Sequence, residues 1–352
     1  MTSYLVTGGA GFIGSNLVHR LVKDPDAHVV VIDALTYAGN LDNLEPVRNS
    51  NRFHFVHADL CDRKAVDEVF RKHRPDVVFN LAAETHVDRS IDGPRAFVHT
   101  NFLGTFELLD AARMFVGNLD EAGRTRFRVV HVSTDEVYGS LGPEGLFSES
   151  TPYAPNSPYA ASKAGADHLA RAYFHTFGLP TLTTNCSNNF GPYQFPEKLI
   201  PLVVLNALEE KPLPVYGDGK NIRDWLFVGD HCDALLRVAA KGRPGESYNI
   251  GAQCERTTLQ MVETVCRVLD ELRPGAQPHA KLIQFVKDRP GHDRRYAIDA
   301  EKVRRELGWT PTVSFEEGMR ATVRWYVENR AWCDRITQGV YRRERLGLGE
   351  ER

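Results

Sequence analysis

Tyr159 and Lys163 stand four residues apart in Ser157-Pro158-Tyr159-Ala160-Ala161-Ser162-Lys163. On a helix that spacing puts both side chains on one face. An ammonium beside a phenol lowers the phenol's pKa, so the pair can take a proton from a substrate hydroxyl during hydride transfer. An inert, exposed helix pair has the same spacing, so position must decide, and the pair follows a fifth apolar segment. That segment runs into Ser133-Thr134-Asp135-Glu136-Val137-Tyr138-Gly139. Two adjacent acids suit the elimination of water, which needs a base for a carbon-bound proton and an acid for the departing hydroxyl. The plainer task for either acid is a helix cap or an arginine partner.

These groups need a hydride carrier, and the N-terminus offers a place for one. Thr7-Gly8-Gly9-Ala10-Gly11-Phe12-Ile13-Gly14 follows an apolar run and opens an amphipathic one. Gly9, Gly11 and Gly14 fit G-x-G-x-x-G, and Gly8, Gly11 and Gly14 fit G-x-x-G-x-x-G. Small residues let the backbone approach a pyrophosphate, and a helix N-terminus presents free N–H groups to it. Asp33 closes the second apolar run, nineteen residues beyond Gly14. A carboxylate there takes the two hydroxyls of an adenosine ribose and repels a 2′-phosphate, which favours NAD over NADP. Asp59, after the third run, either reaches the adenine edge or caps the helix that follows.

The elements that position these residues alternate. Strands are expected at Tyr4–Thr7, His28–Asp33, Arg52–Val56, Asp76–Asn80, Arg128–Ser133 and Pro180–Cys186, with helices at Phe12–Lys23, Asp62–His73, Gly93–Val116 and Ser157–Phe177. Strands rich in Val and Ile between helices predict an α/β fold: a doubly wound, Rossmann-like parallel sheet with ligands at its carboxyl edge. After residue 187 the rhythm breaks into Pro- and Gly-rich loops, with a helix near Val228–Ala240 and a strand at Ser247–Ile250 that can return to the sheet. The expected division is an NAD-binding domain, 1–187 plus about 228–252, and a smaller α/β substrate domain of loops and short helices, 188–227 plus about 253–334. A charged tail is expected over 335–352.

The net charge of −3 gives no basic field for nucleic acid or an anionic membrane. No apolar stretch is long enough to span a bilayer, and no signal peptide opens the chain. Six scattered cysteines without a Cys-x-x-Cys pair predict neither a disulfide framework nor a structural zinc site, hence no metal and a cytoplasmic setting. No nucleophile-elbow serine supports a hydrolase.

Five motifs together carry a family resemblance: GGAGFIGS, LAAETHVDRS (Leu81–Ser90), STDEVYG (Ser133–Gly139), NSPYAASKA (Asn156–Ala164) and NNFGPYQFPEKLIP (Asn188–Pro201). From residue 1 to about 330 the chain resembles the nucleoside-diphosphate-glucose 4,6-dehydratases of the extended short-chain dehydrogenase/reductase superfamily, the dTDP-glucose branch most closely. The resemblance implies that Tyr159 deprotonates the sugar 4-hydroxyl while NAD takes hydride from C4. Lys163 then holds the ribose, Thr134 bonds the 4-oxygen, Glu136 removes the C5 proton, and Asp135 protonates the leaving 6-hydroxyl.

The resemblance further implies cofactor contacts from Gly8, Gly11, Phe12, Ile13, Gly14, Asp33 and Thr36, then from Asp59, Leu60, Ala82, Ala83, Thr100 and Asn189. It implies substrate contacts from Thr85, His86, Asn188, Lys198, Leu199 and Arg223, with Arg289 and His292 on the phosphates and Pro214 and Tyr216 flanking the base. Thr258 stands where the family usually carries an asparagine and cannot make a two-sided amide contact; Cys254 also replaces an asparagine. The helices over Gly93–Val116 and Ser157–Phe177 have room for a second apolar stripe, and the family pairs them across a two-fold axis, so a homodimer is expected. The alternatives are a nucleotide-sugar 4-epimerase or decarboxylase on the same fold, which have no use for the paired acids, and a silent NAD-binding protein.

Overall fold

A computed structural model describes residues 1–288 and 292–339. Its main sheet has seven strands: β1 (Thr2–Thr7), β2 (Ala27–Asp33), β3 (Phe53–His57), β4 (Val77–Asn80), β5 (Arg128–Thr134), β6 (Thr181–Cys186) and, late in the chain, β10 (Ser247–Ile250). They are ordered β10-β6-β5-β4-β1-β2-β3, and every neighbouring pair runs parallel. Apolar residues occupy both faces. Val6, Val29, Val31, Phe79 and Val130 join one core, while Leu5, Val30, Ile32, Val78 and Val129 join another on the opposite side. A sheet buried on both sides has no use for polar alternation, which is why its strands read as continuous Val/Ile runs.

Helices Phe12–Val22, Arg63–His73, Gly104–Gly117 and Pro158–Phe177 cover the sheet. Ser157 caps the last of these, its hydroxyl accepting from the Ala160 N–H, and Pro158 starts it with a preset φ. One expected helix differs. The stretch predicted as a single helix over Gly93–Val116 contains a π-helical segment, Val98–Leu103, between Pro94–Phe97 and Gly104–Gly117.

The remainder forms a second core around Val203, Val215, Val265, Met319 and Tyr326. It is more regular than loops and short helices. The chain makes β7 (Asn188–Phe190), β8 (Leu213–Tyr216), β9 (Ile222–Phe227), β11 (Glu255–Thr257) and β12 (Ile283–Val286), giving one sheet ordered β11-β9-β7 and one pairing β12 with β8. Helices Leu199–Leu208, Thr258–Leu272 and Phe315–Glu328 pack with them. The charged tail also starts later than expected. A helix runs over Arg330–Gly339, with Trp332, Cys333 and Ile336 buried, because Trp332 Nε1 donates to Asn43 Oδ1 at 2.9 Å. The rest of the tail lies outside the described residues.

Candidate active site

The sheet order reverses between β1 and β4, where helices leave towards opposite faces and a crevice opens at the carboxyl edge. A cleft of about 300 Å³ lies there. Of the two glycine readings, the cleft selects Gly8, Gly11 and Gly14, while Gly9 faces Val31. Gly8 has φ +66°, and a Cβ on it would stand 2.7 Å from the Ala82 backbone. A Cβ on Gly14 would collide with the Gly8 carbonyl. No side chain caps the helix that Gly11 opens, so its first N–H groups face the cleft for an anion.

Asp33 ends β2 on the same cleft and is 8% exposed. Its carboxylate accepts from the Ala10 N–H at 2.9 Å and the Leu35 N–H at 2.8 Å, which fixes it over the glycine loop. Burial pushes its pKa up, and those two N–H groups pull it back. Asp59 is not the cap of the following helix; Asp62 is, accepting from Lys64 and Ala65. Asp59 instead accepts from the Cys61 N–H at 2.8 Å and lines the cleft. Phe12, Ile13, Thr36, Leu60, Ala82, Ala83, Thr100 and Asn189 complete this wall, so every residue expected to hold the cofactor lies on one surface. A glycine cradle, an uncapped helix N-terminus and a fixed carboxylate fit a dinucleotide with a free ribose.

Thr134, Asp135, Glu136, Tyr159 and Lys163 meet at the other end of the cleft. β5 delivers the first three: Thr134 is its last residue and caps the short turn Asp135–Tyr138, accepting from the Glu136 N–H at 3.3 Å. Asp135 is 2% exposed, and its Oδ1 accepts from the Thr134 hydroxyl at 3.3 Å. Burial, then the neighbouring Glu136 carboxylate, hold the Asp135 carboxyl well above the usual carboxylate range, with Arg223 opposing them. A carboxyl held up in this way enters a reaction as an acid.

The Tyr159–Lys163 pair departs from its expected electrostatics. Lys163 Nζ donates to the Val132 carbonyl at 2.9 Å, and burial lowers its pKa. Burial, then Glu136, push the Tyr159 phenol well above its ordinary value, and a hydrogen bond with Thr134 pulls it back. Dry surroundings and two carboxylates outweigh the ammonium that the Y-x-x-x-K spacing supplies.

Of the expected substrate residues, Thr85, Asn188 and Lys198 line the cleft, and Lys198 Nζ donates to the Thr85 carbonyl at 2.9 Å. His86, Leu199, Pro214, Tyr216, Arg223, Thr258 and His292 lie off this surface. His86 Nε2 stands 3.9 Å from Glu197, and Arg223 stacks over the Tyr296 ring at 4.2 Å while its charge reaches Asp135. His292 meets Tyr216 edge-on at 6.2 Å and bonds Asp288 at 2.6 Å. Thr258 is half-buried, with its N–H and its hydroxyl donating to the Asn221 carbonyl at 2.9 and 3.4 Å. Arg289 lies outside the described residues. The sequence reading missed Glu197, a buried carboxylate on the cleft wall that Arg89 pairs at 3.1 Å, because a single acid in a loop has no periodicity to reveal it.

A family model described as GDP-mannose 4,6 dehydratase matches residues 5–322. The dTDP-glucose 4,6-dehydratase of Neisseria meningitidis serogroup B is 54% identical over 355 residues, covering 99% of this chain and 100% of that protein. Two solved structures share the fold and the alignment. The dTDP-glucose 4,6-dehydratase of Streptomyces venezuelae, with NAD and dTDP bound, superposes with a TM-score of 0.87 at 47% identity over 95% of this chain and 100% of its own. That of Bacillus anthracis, in complex with NAD, gives 0.85 at 46% over 96% and 100%.

Proposed function

The chain belongs to the nucleotide-sugar 4,6-dehydratase family, in its dTDP-glucose branch, and from that premise we propose how its residues divide the reaction. The enzyme converts dTDP-glucose to the 4-keto-6-deoxy sugar nucleotide with loss of water. The observation that carries this reading is Asp135, a buried acid placed beside Glu136 in the cleft that also holds Tyr159. A 4-epimerase or decarboxylase would have no work for that pair.

NAD, when bound, would supply reversible hydride chemistry, with the hydride taken from C4 given back at C6 of the sugar. Tyr159 Oη takes the proton of the 4-hydroxyl as the phenolate, a form that the positive charges of Lys163 and of a bound nicotinamide would favour against the burial that raises its pKa, and Thr134 Oγ1 orients the same oxygen. Lys163 supplies the positive charge next to the ribose. The 4-keto group acidifies C5, where the Glu136 carboxylate removes the proton. Asp135 gives its proton to the 6-hydroxyl, which leaves as water. Glu136 then returns a proton to C5, and a proton passes from Tyr159 to Asp135 through solvent, so all three residues end as they began. Proton transfer by one positioned side chain is worth roughly 10²–10⁴-fold in rate.

The nucleotide lies towards Arg223, Tyr216 and His292, where a guanidinium suits a diphosphate and an aromatic edge suits a pyrimidine. The functional unit is a homodimer. Val98, Phe102, Phe106, Met114 and Phe177 are large apolar side chains exposed on the helices expected to pair, and Gly165 leaves room for the Phe102 ring to lie against its helix. No helix among the described residues is long and apolar enough to cross a membrane, and the six cysteines are free thiols, which supports a reducing, cytoplasmic setting.

Incubation with dTDP-glucose in deuterated water tests this reading. The product loses one water and carries deuterium at C5. A product of unchanged mass, or the C4 epimer, refutes it.

A further inference from the structure

Asp59, Cys61 and His99 bring a carboxylate, a thiol and an imidazole to one spot. One ligand atom from each lies within 4.8 Å of the other two, the one such group among the described residues. Three separate elements build it. Asp59 follows β3, Cys61 sits in the turn before the helix Arg63–His73, and His99 lies in the π-helical segment Val98–Leu103. π-Helical turns within longer helices are frequently functional. This one meets the Cys61 turn closely: a Cβ on Gly104 would stand 3.2 Å from Leu60 Cβ and 3.7 Å from Cys61 Sγ.

The distances suit a metal. Cys61 Sγ is 3.4 Å from His99 Nδ1. In a tetrahedral zinc site, with Zn–S of about 2.3 Å and Zn–N of roughly 2.0–2.1 Å, those two atoms are separated by about 3.5 Å. The Cys61 N–H holds Asp59 Oδ1 at 2.8 Å, which keeps the carboxylate over the same turn. We propose that Asp59, Cys61 and His99 form a site for a borderline-soft divalent cation, zinc foremost, completed by water, and that filling it weakens dinucleotide binding.

Without a metal, the Cys61 thiol donates to the His99 carbonyl at 3.4 Å. A coordinating dication holds a thiol ligand as the thiolate. The metal–sulfur bond forms as the S–H proton passes to solvent, with no change of oxidation state. Affinity therefore rises with pH. The coupling follows from Asp59, which also lines the cofactor cleft. This second half rests on the reading of Asp59 as an adenine contact, and linkage requires that each ligand weaken the other by the same factor.

The test uses the full chain, with Co²⁺ as a spectroscopic probe and Zn²⁺ in equilibrium dialysis at several NAD concentrations. One equivalent of Co²⁺ should give a thiolate-to-cobalt charge-transfer band that Zn²⁺ displaces. Cys61→Ser should abolish the band, and His99→Gln should weaken Zn²⁺ binding at least about tenfold, the size of effect that even an outer-shell change has on a metal site. Absence of the band in the wild type, or its persistence in Cys61→Ser, overturns the site. A zinc affinity that is the same at every NAD concentration overturns the coupling. Neither measurement reads dehydration, so failure here is distinguishable from failure of the catalytic assignment.

Discussion

Asp167 lies one turn beyond Lys163 on the buried face of the helix Pro158–Phe177, and it is the principal charge opposing the desolvation of that lysine. Its carboxylate is densely held. Oδ2 accepts from Ser133 Oγ at 2.8 Å, Tyr153 Oη at 2.9 Å and Asn185 Nδ2 at 3.2 Å, while Oδ1 stands 3.1 Å from His131 Nε2. Tyr159, Lys163 and Asp167 thus form an i, i+4, i+8 ladder of phenol, amine and carboxylate. Burial lowers the lysine's pKa, and the carboxylate raises it. Asp167→Asn should therefore shift the alkaline limb of kcat/KM to lower pH. A pH–rate profile checks this, and an unmoved limb contradicts it.

The two halves of the chemistry should separate. Tyr159→Phe should block oxidation at C4, so adding substrate gives no reduced-cofactor absorbance. Asp135→Asn and Glu136→Gln should leave oxidation possible and slow elimination by roughly 10²–10⁴-fold. Absorbance of reduced cofactor should then build up in a single turnover, together with a 4-keto sugar that retains its 6-hydroxyl. If both carboxylate variants dehydrate at the wild-type rate, the pair is structural.

Cofactor selectivity should follow Asp33. The wild type should bind NAD far more tightly than NADP, whose 2′-phosphate would face this carboxylate. Asp33→Ala should narrow the ratio and weaken both, because the Ala10 and Leu35 N–H groups lose their acceptor. Stranding a buried donor costs about 1–3 kcal/mol. Calorimetric titration with both dinucleotides measures the two effects, and equal wild-type affinities would refute the assignment.

Acid should destabilise the fold through its neutral histidines. Burial lowers His231 to about 3 and His73 to about 4, against about 6.5 in an unfolded chain. Between those values the unfolded state binds more protons, so stability present above about pH 6.5 is lost as pH falls towards the folded pKa values. The melting temperature should drop across that window. His231→Gln should flatten the drop, the more so because His231 is fully buried and His73 is largely exposed to solvent screening. A slope equal to that of the wild type would assign acid sensitivity to other groups.

Self-association should depend on the apolar patch. Phe106→Glu, or Phe102→Glu, should give a monomer in light scattering at micromolar concentration, with the fold retained by circular dichroism. Both residues are more than a third exposed, so folding alone does not require them. An unchanged dimer would move the interface elsewhere.

The sheet was legible because its strands must be apolar on both faces. Expected and observed ends agree to within two residues for β1 to β6, and the return strand falls at Ser247–Ile250 as expected. The cofactor wall was legible because its residues cluster at strand ends, where motif and topology coincide. The π-helical turn at Val98–Leu103 was not, since its side-chain pattern continues that of the flanking helices. β7 and β11 are three residues each, too short for alternation to register. Asp167 is an ordinary helical acid in sequence, and only the fold places it behind Lys163. The phenol of Tyr159 shows the limit of a spacing rule. Four residues fix which side chains are neighbours, but the local dielectric and the acids of another strand set the charge.

The late arrival of β10 has a consequence for synthesis. β6 is buried along its whole length, with β5 on one side and β10 on the other. On the ribosome, β5 can pair with it as soon as Cys186 emerges, whereas its second neighbour begins at Ser247, after three further strands and two helices. Through that interval the nascent chain carries an open strand edge with unpaired backbone N–H and C=O groups, which is a template for pairing with another chain. The nascent protein is therefore most exposed to aggregation while residues 187–246 are being translated, and release from that risk comes with residue 250.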